Sequence, residues 1–369
     1  MYTEKDLVRV AKRENNNKRK YLVVNALQGK HIPVEPQKAF AMFDELADIL
    51  IHEYRNEKVL IVGFAETATA IGARLAIRMD SYYMQTTREP IPDVEYLYFT
   101  ESHSHATEQK LIKTDLDKII DQIDRIIFAE DEVTTGNTIM KIIDIIRNTY
   151  GDSVRFSVAS LLNGMDEAAR QIYEEQEIGL HYLVKTDHSS YSEIADSYQG
   201  NGSYVTDLKE LPMPEIKEFT ATDYRNGRRL VRGKDYEKAC DSLWSQIEDQ
   251  IDLTENKSVL VLGTEEFMYP AIDMAYRLSK MGIQTKSHST TRSPIAVSKE
   301  ADYPLHTRYE LRSLYEEGRT TFIYDVEQYD KVIVITDAKY TSLAGVSDLC
   351  NAIFKNGNTD ISIVRWCEE

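Results

Sequence analysis

Cysteine is scarce. Only Cys240, Cys350 and Cys367 occur in 369 residues, an odd number, widely spaced and without a C-x-x-C pair. A disulfide framework and a thiolate zinc site therefore have no support, no structural metal is expected, and the usage suits a reducing, cytoplasmic compartment. Long apolar runs are missing too: none approaches the roughly 20 residues of a membrane span. The opening stretch MYTEKDLVRVAKRENNNKRK lacks the apolar core of a signal peptide, so no membrane partner is expected. Positive charge is in deficit, with 44 Lys and Arg against 61 Asp and Glu and a net charge of −17. Such a chain repels nucleic acid at long range. The basic cluster Lys18, Arg19 and Lys20 is accordingly read as a solvated lead-in to the strand-like YLVVNAL. Neither G-x-x-x-x-G-K-[ST] nor G-x-G-x-x-G occurs, which removes the usual ATPase and dehydrogenase readings.

What is present is a repeat. An amphipathic segment (about 37–54) leads into KVLIVGFAETATAIGARLAIRM, and a second (about 236–251) leads into KSVLVLGTEEFMYPAIDMAYRLSKM. Gly63 and Gly263 in the two turns lie 200 positions apart, Arg88 and Arg292 in TTREP and TTRSP 204 apart, and Asp131 and Asp337 at two later strand ends 206 apart. The runs KVLIVG, RIIFA and VRFSVA carry no polar alternation, as expected of strands buried on both faces of a parallel sheet. Strands alternating with helices predict an α/β fold of two similar doubly wound parallel-sheet units. Length alone agrees, at about 150 residues per domain. The join is expected near residues 195–225, where ADSYQGNGSYVTDLKELPMPEIKEF loses its apolar period. The expected domains are 1–210 and 211–369.

RIIFAEDEVTTGNTIMKII is the most informative stretch. A buried strand ends in Glu130, Asp131 and Glu132, and charges there are costly unless they bind something. At a sheet's carboxyl edge such acids can accept hydrogen bonds from sugar hydroxyls or hold hydrated magnesium. Thr134, Thr135, Gly136, Asn137 and Thr138 follow, a loop of hydroxyls and backbone N–H groups at a helix start that suits a phosphate monoester. Together they describe a ribose 5-phosphate site. The plainer alternative is a helix N-cap by Thr134 or Thr135.

This segment resembles the phosphoribosyl pyrophosphate signature of type I phosphoribosyltransferases: apolar strand, two acids, T-G-x-T loop. The resemblance implies that Glu130 and Asp131 hold the ribose hydroxyls and that residues 134–138 bind the 5-phosphate. More narrowly, GKHIPV (29–34), HSHAT (103–107), AEDEVTTGNT, GTEEFMYP (263–270) and TTRSP (290–294) resemble two-domain proteins encoded with tellurite-resistance-type gene clusters. Those have an orotate-phosphoribosyltransferase-like domain followed by a TRSP domain. By the same resemblance, the turn Ala65, Glu66, Thr67 and Ala68 would bind pyrophosphate through its backbone. Arg88 would open a mobile loop over the site, with His103, His105 and Lys110 reaching pyrophosphate or the leaving group. The spacing of His103 and His105 also admits a metal, but no third ligand is apparent. NALQGKHIPV is expected to form a hood over the base, and Thr134 stands where some purine-specific members carry an aspartate.

In the second half Asp337 survives, Thr336 replaces the first acid, and Leu343 is placed where the loop glycine stood. That half is therefore expected not to bind phosphoribosyl pyrophosphate. Glu265, Glu266, Tyr269, Arg292, Ser293 and Asp337 remain at its strand ends, either as a packed, decayed copy with Arg292 pairing a glutamate or as a second small-molecule site. The expected activity is a magnesium-dependent phosphoribosyltransferase with phosphoribosyl pyrophosphate as co-substrate and a small base or nucleotide as partner, in the biosynthesis of a nucleoside-like metabolite. A non-catalytic regulatory binder is the alternative. A homo-oligomer is open.

Overall fold

The computed structural model describes residues 1–14, 19–99, 109–208, 216–251, 258–339 and 343–368. His103 and His105 lie outside the described residues. The chain forms an α/β fold and divides into two compact units. The first comprises 40–186 with 225–239. The second comprises 2–39, 187–224 and 240–369.

In the first unit, strands β1 (Val59–Gly63), β2 (Tyr82–Gln85), β3 (Arg125–Val133), β4 (Arg155–Asn163) and β5 (Gly179–Lys185) make one parallel sheet in the order β2-β1-β3-β4-β5. The two-residue strand Val231–Arg232 pairs antiparallel with β2 at the edge. Every residue of β1 is buried, as is the Arg125–Ala129 part of β3, so neither strand carries polar alternation. Helix α1 (Pro36–Tyr54) buries Phe40, Phe43, Leu46, Ala47, Leu50 and Tyr54, the spacing of one helical face. Helix α2 (Thr69–Met79) follows the turn after β1, α3 (Asn137–Tyr150) follows the acidic strand end and buries Ile139, Ile142, Ile143 and Ile146, and α4 (Glu167–Glu175) links β4 to β5.

In the second unit, β6 (Ile216–Ala221), β7 (Ser258–Gly263), β8 (Gln284–Ser289), β9 (Lys331–Thr336) and β10 (Ile361–Trp366) form an all-parallel sheet in the order β6-β10-β9-β7-β8. Helix α5 (Gly233–Ile247) precedes β7, α6 (Tyr269–Lys280) follows it, and α7 (Leu343–Lys355) follows β9. The repeat thus reaches the topology. β8-β7-β9-β10 repeats β2-β1-β3-β4, and only the fifth strand differs: β5 follows the core strands in the chain, whereas β6 precedes them.

One expectation changes here. The units do not part at 210/211. Residues 2–39 belong to the second unit because nonlocal contacts hold them there. Lys30, fully buried, donates to the carbonyls of Glu265 at 2.7 Å and Thr290 at 2.9 Å, and Val34 pairs with Ser287. GKHIPV is therefore built into the second unit's own strand-end region. The stretch 195–225 packs in part: it contributes β6 and a short strand, Ser203–Val205, parallel to Thr307–Arg312.

Candidate active site

The turn after β1 is organised by the repeated threonine pair. Thr86 passes its N–H to the Gly63 carbonyl (3.0 Å) and accepts the Ala65 N–H on its hydroxyl (2.8 Å). Thr290 does the same in the second unit, with Gly263 (3.1 Å) and Glu265 (3.0 Å). The T-T-R repeat already carried this signal in the sequence. The Ala68 N–H is bound by the Phe64 carbonyl at 2.9 Å, and the Ala65 carbonyl accepts Gln109 at 3.1 Å. The N–H groups of Ala65 and Ala68 are thus committed to the turn itself, and the expected pyrophosphate contact narrows to Glu66 and Thr67, both partly accessible. The Ala65–Glu66 peptide is cis.

Thr67 reaches the acidic strand end, its hydroxyl donating to Asp131 at 2.8 Å. Glu130, Asp131 and Glu132 are partly accessible at the end of β3. Burial pushes the Glu130 carboxyl well above the ordinary range, and the Asp131 charge beside it pushes it further. Burial also raises Asp131, against the pull of its Thr67 hydrogen bond. Carboxyls held up in this way are a place where a cation or hydroxyl donors would stabilise the charged form.

Gly136, at φ 72°, is the N-cap of α3, so neither Thr134 nor Thr135 caps the helix as the plainer alternative required. The Thr135 hydroxyl accepts the Asn137 N–H at a long 3.4 Å. Thr135 and Asn137 are exposed, and Thr134 and Thr138 partly so. Among the described residues no acceptor takes the N–H of Thr138 or Ile139, the unsatisfied donors of a helix start. Strand end, turn and loop therefore come together at the carboxyl edge of this sheet.

Arg88 is half-buried just beyond β2, and Glu89 is buried with its N–H on the Thr87 hydroxyl. Lys110 pairs through its backbone with Thr87, and its ammonium lies 4.6 Å from the centre of the Tyr96 ring.

In the second unit the expected residues meet one another. Glu265 and Glu266 are each 1 % exposed. Arg292 donates to Glu266 at 2.9 Å and lies 3.8 Å from Glu265. Ser313 and Arg319, which carry no motif and were not singled out above, bind Glu265 at 2.5 and 2.9 Å. Asp337 accepts the hydroxyls of Tyr315 (2.7 Å) and Tyr224 (2.8 Å), and Tyr315 also contacts the Thr264 hydroxyl at 2.6 Å. Tyr269 begins α6, and the Ser293 carbonyl accepts Tyr324 at 2.7 Å. This is the pairing of the packed-copy alternative. Leu343 stands at the start of the described part of α7 and is 74 % exposed, and residues 340–342 before it lie outside the described residues.

The chain belongs to a family described as phosphoribosyl transferase, whose profile matches residues 7–191. Residues 224–352 match the TRSP domain found C-terminal to that family's domain. No curated protein matches it. Similar solved structures include the adenine phosphoribosyltransferase of Rhodothermus marinus, 15 % identical, covering 49 % of this chain and 96 % of that one with a TM-score of 0.36. The enzyme of Giardia lamblia complexed with 9-deazaadenine is 12 % identical, with coverages of 49 % and 95 % and a TM-score of 0.35. That of Trypanosoma brucei in complex with AMP, pyrophosphate and ribose-5-phosphate is 15 % identical, with coverages of 39 % and 64 % and a TM-score of 0.29.

Proposed function

We propose that the first unit transfers ribose 5-phosphate between pyrophosphate and a small nitrogen nucleophile, with phosphoribosyl pyrophosphate as co-substrate, in the synthesis of a nucleoside-like metabolite. The observation that carries this reading is the adjacency of Glu130 and Asp131, raised by burial, to the glycine-capped start of α3. A diol can donate to the carboxylates while a phosphate accepts from the helix N–H groups and threonine hydroxyls. Among the described residues no cluster of three metal-ligating side chains occurs. Magnesium is commonly held by one or two carboxylates together with substrate phosphates, and Glu130 and Asp131 would supply the carboxylates.

In the reaction, the bond from the anomeric carbon to pyrophosphate breaks and a bond to nitrogen forms, with the nitrogen's proton released. Glu130 and Asp131 hold the sugar and do not attack it. Thr134–Thr138 hold the 5-phosphate, Glu66 and Thr67 present the turn to the departing pyrophosphate, and Arg88 adds positive charge beside it. Magnesium, when bound, neutralises charge developing on the leaving group. Thr134, in place of an aspartate, supports an acceptor other than a purine, as in the orotate-like group. His103, His105 and Lys110 complete the proposed loop. We place the reaction in the cytoplasm. No described helix is long and apolar enough to cross a membrane.

Isothermal titration with phosphoribosyl pyrophosphate and magnesium tests this reading. Binding by the wild type that is lost in Asp131→Ala, followed by pyrophosphate release with a suitable acceptor, is the expected result. No binding by the wild type would remove it.

A further inference from the structure

The phosphate loop closes against a tyrosine from another element. Tyr173, on α4, is 1 % exposed, and its hydroxyl donates to the Gly136 carbonyl at 2.7 Å. That carbonyl also accepts the Met140 N–H at 3.0 Å, the first bond of α3. A Cβ on residue 136 would lie 2.4 Å from the Tyr173 hydroxyl oxygen and 2.7 and 2.8 Å from two ring carbons. Ring and loop backbone are thus in direct contact. Glycine is required at 136 for its left-handed φ and again for this approach.

The geometry has a directional consequence. A peptide group is planar and trans, so its C=O and N–H point in opposite directions. Fixing the Gly136 carbonyl on Tyr173 and Met140 therefore also fixes the next N–H, that of Asn137, pointing away from the ring on the side of the Thr135 hydroxyl, which accepts it at a long 3.4 Å. Burial raises the Tyr173 phenol, and the nearby Glu130 carboxyl raises it further, so the hydroxyl remains protonated and acts as a donor at neutral pH.

We propose that Tyr173 is a positioning residue for the 5-phosphate: it holds the Gly136–Asn137 peptide so that the N–H groups at the start of α3 face the ligand. This rests on the transferase reading of the site. Tyr173 touches no ligand atom in this role. It acts through the backbone of the loop.

Titration of wild type, Tyr173→Phe and Tyr173→Met with ribose 5-phosphate and, separately, with pyrophosphate plus magnesium tests the proposal, together with thermal midpoints. The methionine variant fills the space without a hydroxyl. Losing one net hydrogen bond corresponds to about a 3- to 10-fold weaker affinity. That loss is expected for ribose 5-phosphate alone, with pyrophosphate affinity unchanged. Equal affinity for ribose 5-phosphate in wild type and variants overturns the proposal while leaving the transferase reading in place. Equal weakening toward both ligands, or failure of both variants to fold, marks Tyr173 as an ordinary core residue and also overturns it. A wild type that binds neither ligand removes the transferase reading, and the role of Tyr173 with it.

Discussion

Asp131 and Asp337 stand at the ends of corresponding strands in two sheets whose four core strands run in the same order. Asp131 accepts a hydroxyl from Thr67 and stays partly accessible, beside a second acid and an outward-facing threonine loop. Asp337, 9 % exposed, accepts two hydroxyls from Tyr224 and Tyr315, and the place of the second acid is taken by the fully buried Thr336. In the second unit the strand-end carboxylate is bound by tyrosine hydroxyls of the same unit, whereas Glu130 and Asp131 of the first stay partly accessible. The turn scaffold is common to both, down to the threonine that binds the turn N–H. A shared topology fixes where a site can be, and the side chains at the strand ends decide whether it is open.

The largest expected effect separates the two aspartates. Asp131→Ala should abolish binding of phosphoribosyl pyrophosphate, while Asp337→Ala should leave the titration curve of wild type intact. Parallel loss in both variants would break the comparison. Next is Arg292→Ala, which removes the guanidinium paired with the buried Glu266 carboxylate and should cost about 3–5 kcal/mol in denaturant unfolding. Its repeat counterpart Arg88→Ala should instead show itself in pyrophosphate affinity. If Arg292→Ala unfolds at the wild-type denaturant concentration, the ion pair is not what holds that edge.

Acid should act on both units, through different groups. Burial lowers His288 to about 4, opposed by the Tyr324 carbonyl to which its ring donates. The unfolded chain, near 6.5, binds the extra proton first. His288 therefore contributes no penalty above pH 6.5 and a growing one as pH falls from 6.5 toward 4, reaching about 3 kcal/mol. His181 in the first unit is lowered by burial and leans the same way. In that unit Asp115 is desolvated, yet the Arg229 guanidinium, at 2.5 and 2.9 Å, holds it down at about 2. Its contribution of about 2 kcal/mol is complete above pH 4 and is lost progressively as pH falls from 4 through 2. Unfolding of wild type and His288→Gln at pH 7 and 5 should give a smaller pH difference in the variant; identical differences would exclude His288. The smallest effect is expected for Tyr315→Phe, which removes one hydroxyl from Asp337 and should cost about 1 kcal/mol without changing ligand binding.

The sheets were legible because strands buried on both faces leave short unbroken apolar runs, and three landmarks kept their order across the repeat. The acidic strand end and its loop were legible as a motif because strand, acids, glycine and helix are contiguous. What escaped depends on contacts between distant positions. Lys30 and Glu265 are 235 residues apart, so the membership of the first 39 residues could not be read locally. Tyr173, Tyr224 and Tyr315 look like ordinary aromatics until the fold brings each to a carbonyl or a carboxylate.

The order in which the chain visits its units bears on how it can be made. It starts in the second unit, leaves at residue 40, returns at 187, crosses back for 225–239 and finishes in the second unit. A ribosome therefore delivers the first unit's whole core before the partner strands of residues 2–39 exist. Residues 2–39 must wait until the turn carrying Glu265 and the strand carrying Ser287 have been made. A stop before residue 258 would leave the first unit's sheet complete and residues 2–39 without those contacts. One unit of this protein is thus begun first and completed last.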